Sequence, residues 1–468
     1  MNQFTMTIDG CAVEGQQFFP VINSAKGAEF AQAPDCTLAQ LDLAMRAAQN
    51  AFPLWRQDEA RRRQALRDCA TVLRANADLL GNILTREQGK PLKEAIGEVN
   101  GTADYLGACA DREIPCEVLR DDARERIEVR RKPFGVVAAI LPWNFPLALA
   151  AWKIGQALLT GNTLVLKPSP YTPLATLKMG ELLRTVLPPG VFSVVSGGND
   201  LGAAMTAHPV VRKISFTGSI ATGKKIAQAA ASDLKHVTLE LGGNDPAIVL
   251  PDADPEQIAA KLFWNAFYNS GQICIAIKRV YVHEDIYPQM VEALAIQARQ
   301  VKMGDGLDPA SQLGPINNRM QFERVIGLVE DAKRSGGRMV TGGNPRPGSG
   351  YFFEPTIVMD ISDGTRLVDE EQFGPVLPII PYRNIDDALE RANATHYGLG
   401  GSIWTRDVEK GMDLATQLEC GTGCVNQHVA FDPHVPFGGA KWSGMGHENG
   451  LPGLEAFTQL QVLQTTKN

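Results

Sequence analysis

Residues 213–241, KISFTGSIATGKKIAQAAASDLKHVTLEL, decide the fold class of this chain. An apolar run at 213–216 ends in Thr217-Gly218-Ser219, a helical stretch follows over 220–231, and a second apolar run closes the segment at 237–241. Parallel strands cannot be joined by a tight turn, so strand, helix and strand at this spacing predict a parallel crossover. The alternation extends outward: strands are expected at 136–141, 163–166 and 192–195, and helices at 152–159, 173–187 and near 201–207. A sheet of this kind is covered on both faces, is the usual frame for a nucleotide, and takes ligands at the carboxyl ends of its strands. Three polar insertions fall at those ends: Pro142-Trp143-Asn144-Phe145-Pro146, Lys167-Pro168-Ser169-Pro170 and Thr217-Gly218-Ser219.

Before this block, helical spacing of apolar residues predicts packing helices at 38–55 and 60–84. Residues 116–131 alternate apolar and charged side chains, as an edge ribbon with one polar face would. After it, a second strand–helix region runs from 247 to about 425, with strands near 279–283, 352–358, 376–381 and 400–404. The tail 455–465 is strand-like and is expected to extend a sheet in a neighbouring protomer. The fold class expected is therefore α/β, with two α/β domains built on parallel sheets and a small β ribbon.

At 468 residues the chain exceeds what one core supports. Its 45 Lys and Arg against 52 Asp and Glu give a net charge of −7, which does not suggest a nucleic-acid partner. The opening residues MNQFTMTIDG resemble no signal peptide, and no apolar span is long enough for a membrane helix. Eight cysteines without a C-x-x-C pair or a histidine at zinc spacing fit free thiols in a reducing, cytoplasmic compartment, and no metal is expected.

One of those cysteines stands apart. Residues 267–276, FYNSGQICIA, place Cys274 beside Ser270, Gly271 and Gln272, whereas inert structural cysteines sit in apolar runs; on this stretch alone a structural thiol reads equally well. Glu240 closes an apolar strand before Gly242-Gly243, where burial would raise its pKa toward the range of a general base; a salt-bridged structural glutamate reads equally well. Asn144, between Trp143 and Phe145, is an amide donor suited to an oxyanion or simply a turn asparagine. The turn at Gly218 and Ser219, with Gly223, offers free N–H groups at a helix start, although such turns more often hold nothing. Lys167 ends its strand beside Pro168, where it would suit ribose hydroxyls, although a lysine so placed is more often simply solvated. Together these residues make an inventory for oxidising an aldehyde through a thioester.

With those motifs the chain resembles the aldehyde dehydrogenase superfamily from about residue 20 to the C-terminus. The matching stretches are PWNFP at 142–146, KPS at 167–169, FTGS at 216–219 with Gly223, ELGG at 240–243, GQIC at 271–274, EEQFGPV at 370–376 and PFGGAKWSGMG at 436–446. The resemblance implies Cys274 as nucleophile, Asn144 and the Cys274 N–H as oxyanion donors, Glu240 as the base for thioester hydrolysis, and Lys153 and Glu448 in a proton relay. It implies NAD or NADP as cofactor, with Lys167 at the adenosine ribose, Gly218 and Ser219 at the pyrophosphate, Glu371 at the nicotinamide ribose, Phe373 beside the nicotinamide, and Ile140, Trp143 and Gly197 lining the site. It also implies a dinucleotide-binding domain from 1–109 and 132–243, a catalytic domain at 244–430, and an oligomerisation ribbon from 110–131 and 455–468 that gives dimers or tetramers. Loss of one oxyanion donor would cost about 2.7–4 kcal/mol.

Two departures bear on specificity. Where many NAD-preferring relatives carry a glutamate for the ribose hydroxyls, this chain has Pro170, which relaxes repulsion of a 2′-phosphate; no added arginine is present to hold that phosphate, so NAD is still expected to be preferred. Positions matching the substrate tunnel are Phe145, Leu149, Trp152, Tyr268, Ile273 and Phe431, all apolar or aromatic, in a variable region that also contains His428, Val429 and Ala430. An uncharged aliphatic or aromatic aldehyde is the expected substrate; His428 in the tunnel would suit a polar one, although a histidine there is more often a plain loop residue. The rival readings are a CoA-acylating enzyme, against which Glu240 argues, and a non-catalytic binding protein of the same fold.

Overall fold

The computed structural model describes residues 4–428 and 431–467, so Val429 and Ala430 of the variable region, with 1–3 and 468, lie outside the described residues. Two sheets dominate. The larger has eight strands, whose middle five, Glu240's strand His236–Glu240, then Val211–Thr217, Val136–Ile140, Thr163–Lys167 and Phe192–Val194, run parallel in that order. Short antiparallel strands extend it: Gly444–Met445 beside His236–Glu240, and Met6–Ile8 with Cys11–Val13 at the far edge. The register pairs Lys167 with Ile140, Ile140 with Phe216, and Thr217 with Glu240. One row at the carboxyl ends of four strands therefore carries several of the singled-out positions.

The second sheet has seven strands, six parallel and one antiparallel edge strand, Arg338–Thr341. Its central strands Asp245–Val249 and Ile277–His283 are buried on both faces nearly throughout, Lys278 and Arg279 included. The strand expected at 352–358 is shorter, Thr356–Met359, because Pro355 has no N–H for the ladder; Phe353 makes only an isolated bridge to Pro345.

Several helices also differ from expectation. The stretch 60–84 is two helices, Glu59–Ala75 and Ala77–Gln88, parted at Asn76, whose φ of −116° leaves the helical region. A further helix, Leu92–Ala110, went unread because Gly97, Gly101 and Gly107 dilute its apolar spacing. The helix expected from 152 begins at Pro146, where the missing N–H of a first-turn proline costs nothing. The helix Leu38–Trp55 forms as expected. Thr37 and Gln40 form a reciprocal capping box at its start, and Leu41, Ala44, Met45 and Ala48 are buried on one face; burying a side chain such as Leu41 or Met45 contributes about 1.5–3 kcal/mol.

Thr458–Thr466 pairs antiparallel over its whole length with Glu125–Pro133 of its own chain, and Cys116–Asp121 completes a three-stranded ribbon. The tail is an outer strand of that ribbon, paired on one side only among the described residues.

Candidate active site

Cys274 follows the helix Pro255–Phe267 after a turn in which Asn269, Ser270 and Gly271 are all left-handed, with φ of 51°, 56° and 73°. Two non-glycine residues in that region cost about 1–3 kcal/mol each unless the surroundings hold them. They are held. The Ser270 hydroxyl donates to the Gly314 carbonyl at 2.7 Å, and the Gln272 amide donates to the Asn269 carbonyl at 2.8 Å while accepting from the Asn317 N–H at 2.8 Å. Lys278 donates to the carbonyls of Ile273 at 2.6 Å and Cys274 at 3.3 Å, and a Cβ on Gly271 would strike the Gly374 carbonyl. The turn presents a half-buried Cys274, one of eight free cysteines. Burial pushes its thiol up to about 12, aided by the carboxyls of Glu371, Glu240 and Asp245 and opposed by Lys278.

Asn144 is tied to this turn from both ends. Its amide donates to the Gln272 carbonyl at 2.9 Å, which leaves its second amide proton for another acceptor, and its own carbonyl accepts from Lys90 at 2.9 Å and Asn269 at 3.2 Å. Lys90 pairs with Glu98 at 2.6 Å, and Glu98 accepts from the N–H groups of Leu147 at 2.9 Å and Ala148 at 3.1 Å. Glu98, from the unexpected helix Leu92–Ala110, thereby supplies a carboxylate to the start of Pro146–Leu159, where a helix favours negative charge.

Glu240 is buried and both its carboxyl oxygens lack a hydrogen-bond partner among the described residues. Burial raises its pKa well above the ordinary carboxylate range, with Glu448 adding to the shift and Lys153 opposing it. Lys153 and Glu448 are fully buried and 2.8 Å apart; Lys153 also donates to Ser215 and Thr217 at 2.9 Å each, and Gln156 donates to Glu448 at 3.2 Å. The Glu240 carboxyl, the Lys153–Glu448 pair and the two hydroxyls are thus buried together.

On the other side of the site, Lys167 is buried, and its one hydrogen bond among the described residues is a long one, 3.3 Å, to the Pro168 carbonyl. Burial lowers its pKa to about 8, opposed by Asp35, whose carboxylate lies where a Cβ on Gly197 would point. Ile140 ends the adjoining strand. Ser219 caps the helix Ile220–Ala231, accepting from the Thr222 N–H at 3.3 Å. A side chain on Gly218 would meet the Phe216 ring and one on Gly223 would meet Leu241, so both glycines permit close packing at this helix start. Glu371 accepts from the Gly243 N–H at 3.1 Å, lies 3.9 Å from Lys278, and is raised by burial to about 7. Phe373, with φ of 50°, meets Trp143 edge-on at 5.1 Å.

The residues matched to a substrate tunnel form two aromatic groups. Phe145 stacks on Tyr268 at 6.4 Å; Trp152 meets Phe431 at 5.8 Å and Phe437 at 5.2 Å, and Leu149 lies between the groups along the same helix. Phe437 was missed, and Ile273 is buried beside Cys274. His428 is not a free polar group: it is buried, 2.9 Å from the Ser402 hydroxyl and 3.5 Å from the Asp245 carboxylate. Among the described residues no group of three or more His, Cys, Asp or Glu is placed to hold a metal. The supporting residues Lys278, Lys90 and Lys213 also went unread, although lysines that interrupt apolar strands, as in IKRVYV and VRKISFT, are a signal that sequence carries.

A model of the aldehyde dehydrogenase family matches residues 12–463. Retinaldehyde dehydrogenase 3 of Rattus norvegicus is 39% identical over 90% of this chain and 85% of its own length. An NAD+ complex of an aldehyde dehydrogenase from Bacillus cereus superposes with a TM-score of 0.97 at 34% identity, covering 100% of this chain and 97% of that one. An NADP-dependent enzyme from E. coli does so with a TM-score of 0.96 at 34% identity, covering 99% and 98%. The chain belongs to the aldehyde dehydrogenase family, enzymes that oxidise aldehydes with NAD or NADP.

Proposed function

We propose that this enzyme oxidises uncharged aliphatic or aromatic aldehydes to carboxylic acids through a covalent bond from Cys274 Sγ to the carbonyl carbon, with NAD preferred to NADP. The observation that carries the reading is Glu240, a buried carboxyl with both oxygens unpartnered among the described residues, in the electrostatic reach of a held, partly accessible Cys274.

The dinucleotide fits the residues present: Lys167 lacks a strong partner among the described residues, and Gly218 and Gly223 let the helix that starts at Ser219 pack closely on Phe216 and Leu241. Lys167, Gly218, Ser219, Glu371 and Phe373 would hold it, with Ile140, Trp143 and Gly197 around them, and when bound it supplies the hydride acceptor. An aldehyde does not release hydride from a planar carbon. As Sγ bonds to that carbon, the thiol proton passes to water in the site and the carbonyl electron pair moves to oxygen, where the free Asn144 amide proton and the Cys274 N–H would receive it. Loss of hydride leaves a thioester. Glu240 then takes a proton from water as its oxygen bonds to the acyl carbon, and the C–S bond breaks to return the thiolate.

The apolar lining, Phe145, Leu149, Trp152, Tyr268, Ile273 and Phe431, offers no charge to a substrate carboxylate. Initial rates with octanal, benzaldehyde, betaine aldehyde and succinic semialdehyde are expected to favour the first two. A clear preference for succinic semialdehyde would discard the substrate assignment, and a CoA requirement would discard hydrolysis.

Asp35 supports the NAD preference. Its carboxylate stands beside Gly197 and within the field of Lys167, a place where it repels a 2′-phosphate in the absence of a glutamate at position 170. Asp35→Asn is expected to tighten NADP binding about tenfold relative to NAD, the equivalent of about 1.4 kcal/mol, in a fluorescence titration of each dinucleotide. An unchanged ratio would remove Asp35 from the selection.

We further assign 1–109 and 132–243 to a dinucleotide-binding domain, 244–430 to a catalytic domain, and the ribbon 110–131 with 455–468 to self-association. Exposed Val118, Leu119, Leu460 and Val462 on that ribbon support a homodimer or homotetramer, and the free thiols support a cytoplasmic setting.

A further inference from the structure

Thr217, Ser215 and Lys213 alternate along one strand and so share one face, and the parallel register sets them beside Glu240, Thr238 and His236 of the next strand. The first two rungs contain the buried cluster described above: Lys153 bonds Thr217, Ser215 and Glu448, and the Ser215 hydroxyl donates to Glu448 at 2.8 Å. The third rung is unexplained by the chemistry so far. Lys213 is buried with no carboxylate at ion-pair distance among the described residues, donates to the Thr238 hydroxyl at 2.5 Å, and lies 5.6 Å from the centre of the Phe457 ring. Burial of a cation without a counter-ion is costly, so its retention at a buried position calls for a reason. On the same rung His236 is exposed to solvent and stacked on Phe134 at 4.2 Å.

The reaction creates a demand that this column meets. Aldehyde, NAD+ and water give carboxylate, NADH and two protons, and both protons arise in a closed site. We propose that Lys213 passes protons between the Glu448–Lys153 cluster and solvent at His236, extending the relay by one strand rung to the edge of the sheet. The inference rests on Glu240 acting as the base in the proposed function. Glu448, Lys153 and His236 are the titratable groups in the field of Lys213; burial lowers its pKa to about 7, with Glu448 opposing and Lys153 adding, so it exchanges a proton near neutral pH. Lys213 touches neither substrate nor cofactor and is a positioning residue of the relay.

Lys213→Met, Lys213→Arg and Glu240→Gln test this in the full-length enzyme, with NADH formation and release of protons to an indicator dye followed in the same stopped-flow record. Both Lys213 variants are expected to keep the first-turnover burst of NADH, while steady turnover and proton release fall about tenfold, lose their inflection near neutral pH, and recover on addition of imidazole. Arginine preserves charge but does not give up its proton, so Lys213→Arg separates proton exchange from electrostatic support. His236→Gln is expected to give a smaller loss, relieved by concentrated buffer. Wild-type turnover and pH profile in Lys213→Met would overturn the relay. So would a joint loss of burst and turnover that imidazole does not relieve, since that marks a structural lysine. A slow Glu240→Gln with an unaffected Lys213→Met removes the relay alone, whereas normal turnover in Glu240→Gln removes the base assignment and the relay with it.

Discussion

Cys274→Ala is expected to abolish aldehyde oxidation and any cofactor-independent ester hydrolysis together, while leaving dinucleotide binding and thermal stability close to those of the parent. The two activities fall together because both begin with the same bond, from sulfur to an acyl carbon, and the methyl group of alanine has no electron pair to form it. Stability should hold because the strained turn is anchored by Ser270, Gln272 and Lys278, whose hydrogen bonds run to backbone groups and do not involve the sulfur. Binding should hold because Lys167, Ser219 and Glu371 lie on other elements. The thiol itself reports on the site: with its pKa pushed up to about 12 by burial, alkylation of the enzyme by iodoacetamide should be slow at neutral pH and accelerate as pH rises. Retained esterase activity in Cys274→Ala would place the nucleophile elsewhere.

Much of this site could be read before any coordinates because its chemistry is concentrated in short motifs at the ends of strands. The parallel crossover at 213–241 requires its two strands to end in one row, and the register of Thr217 with Glu240 is that requirement met. What could not be read is support that crosses the fold. Glu98 reaches the start of Pro146–Leu159 from a helix whose glycines disguise its period, and Asn317 reaches Gln272 from 45 positions further along the chain. Asp35 acts beside Gly197, more than 150 positions along the chain, and no local spacing reveals such a pairing. The tail's partner within the chain was illegible for the same reason: a strand-like segment announces an edge, and only the tertiary structure shows that one side of it meets its own chain's Glu125–Pro133. His428 looked polar and available from its position, and burial against Ser402 and Asp245 is what removes it.

Glu240→Gln is expected to separate the two halves of the reaction. Hydride loss in the first turnover should survive, since Asn144 and the turn around Cys274 remain intact, but the thioester should persist for want of a base, so a burst of NADH is followed by turnover lowered about 10²–10⁴-fold. In the parent, the same base must first lose a proton that burial makes it hold, so its deacylation rate should rise with pH through the elevated pKa, and Glu240→Gln should lose that dependence. Stability gives an independent reading with a fixed sign. A carboxyl whose folded pKa is raised binds its proton more tightly folded than unfolded, so its contribution is fully present below the unfolded value, near 4.3, and is lost as pH rises toward the folded one. A glutamine carries no such charge. Glu240→Gln should therefore melt above the parent at neutral pH, by a margin that widens as pH is raised, a stabilisation obtained by deleting the group that turnover requires. Equal melting temperatures across that range, or a variant without a burst, would show that Glu240 is neither buried at cost nor the base.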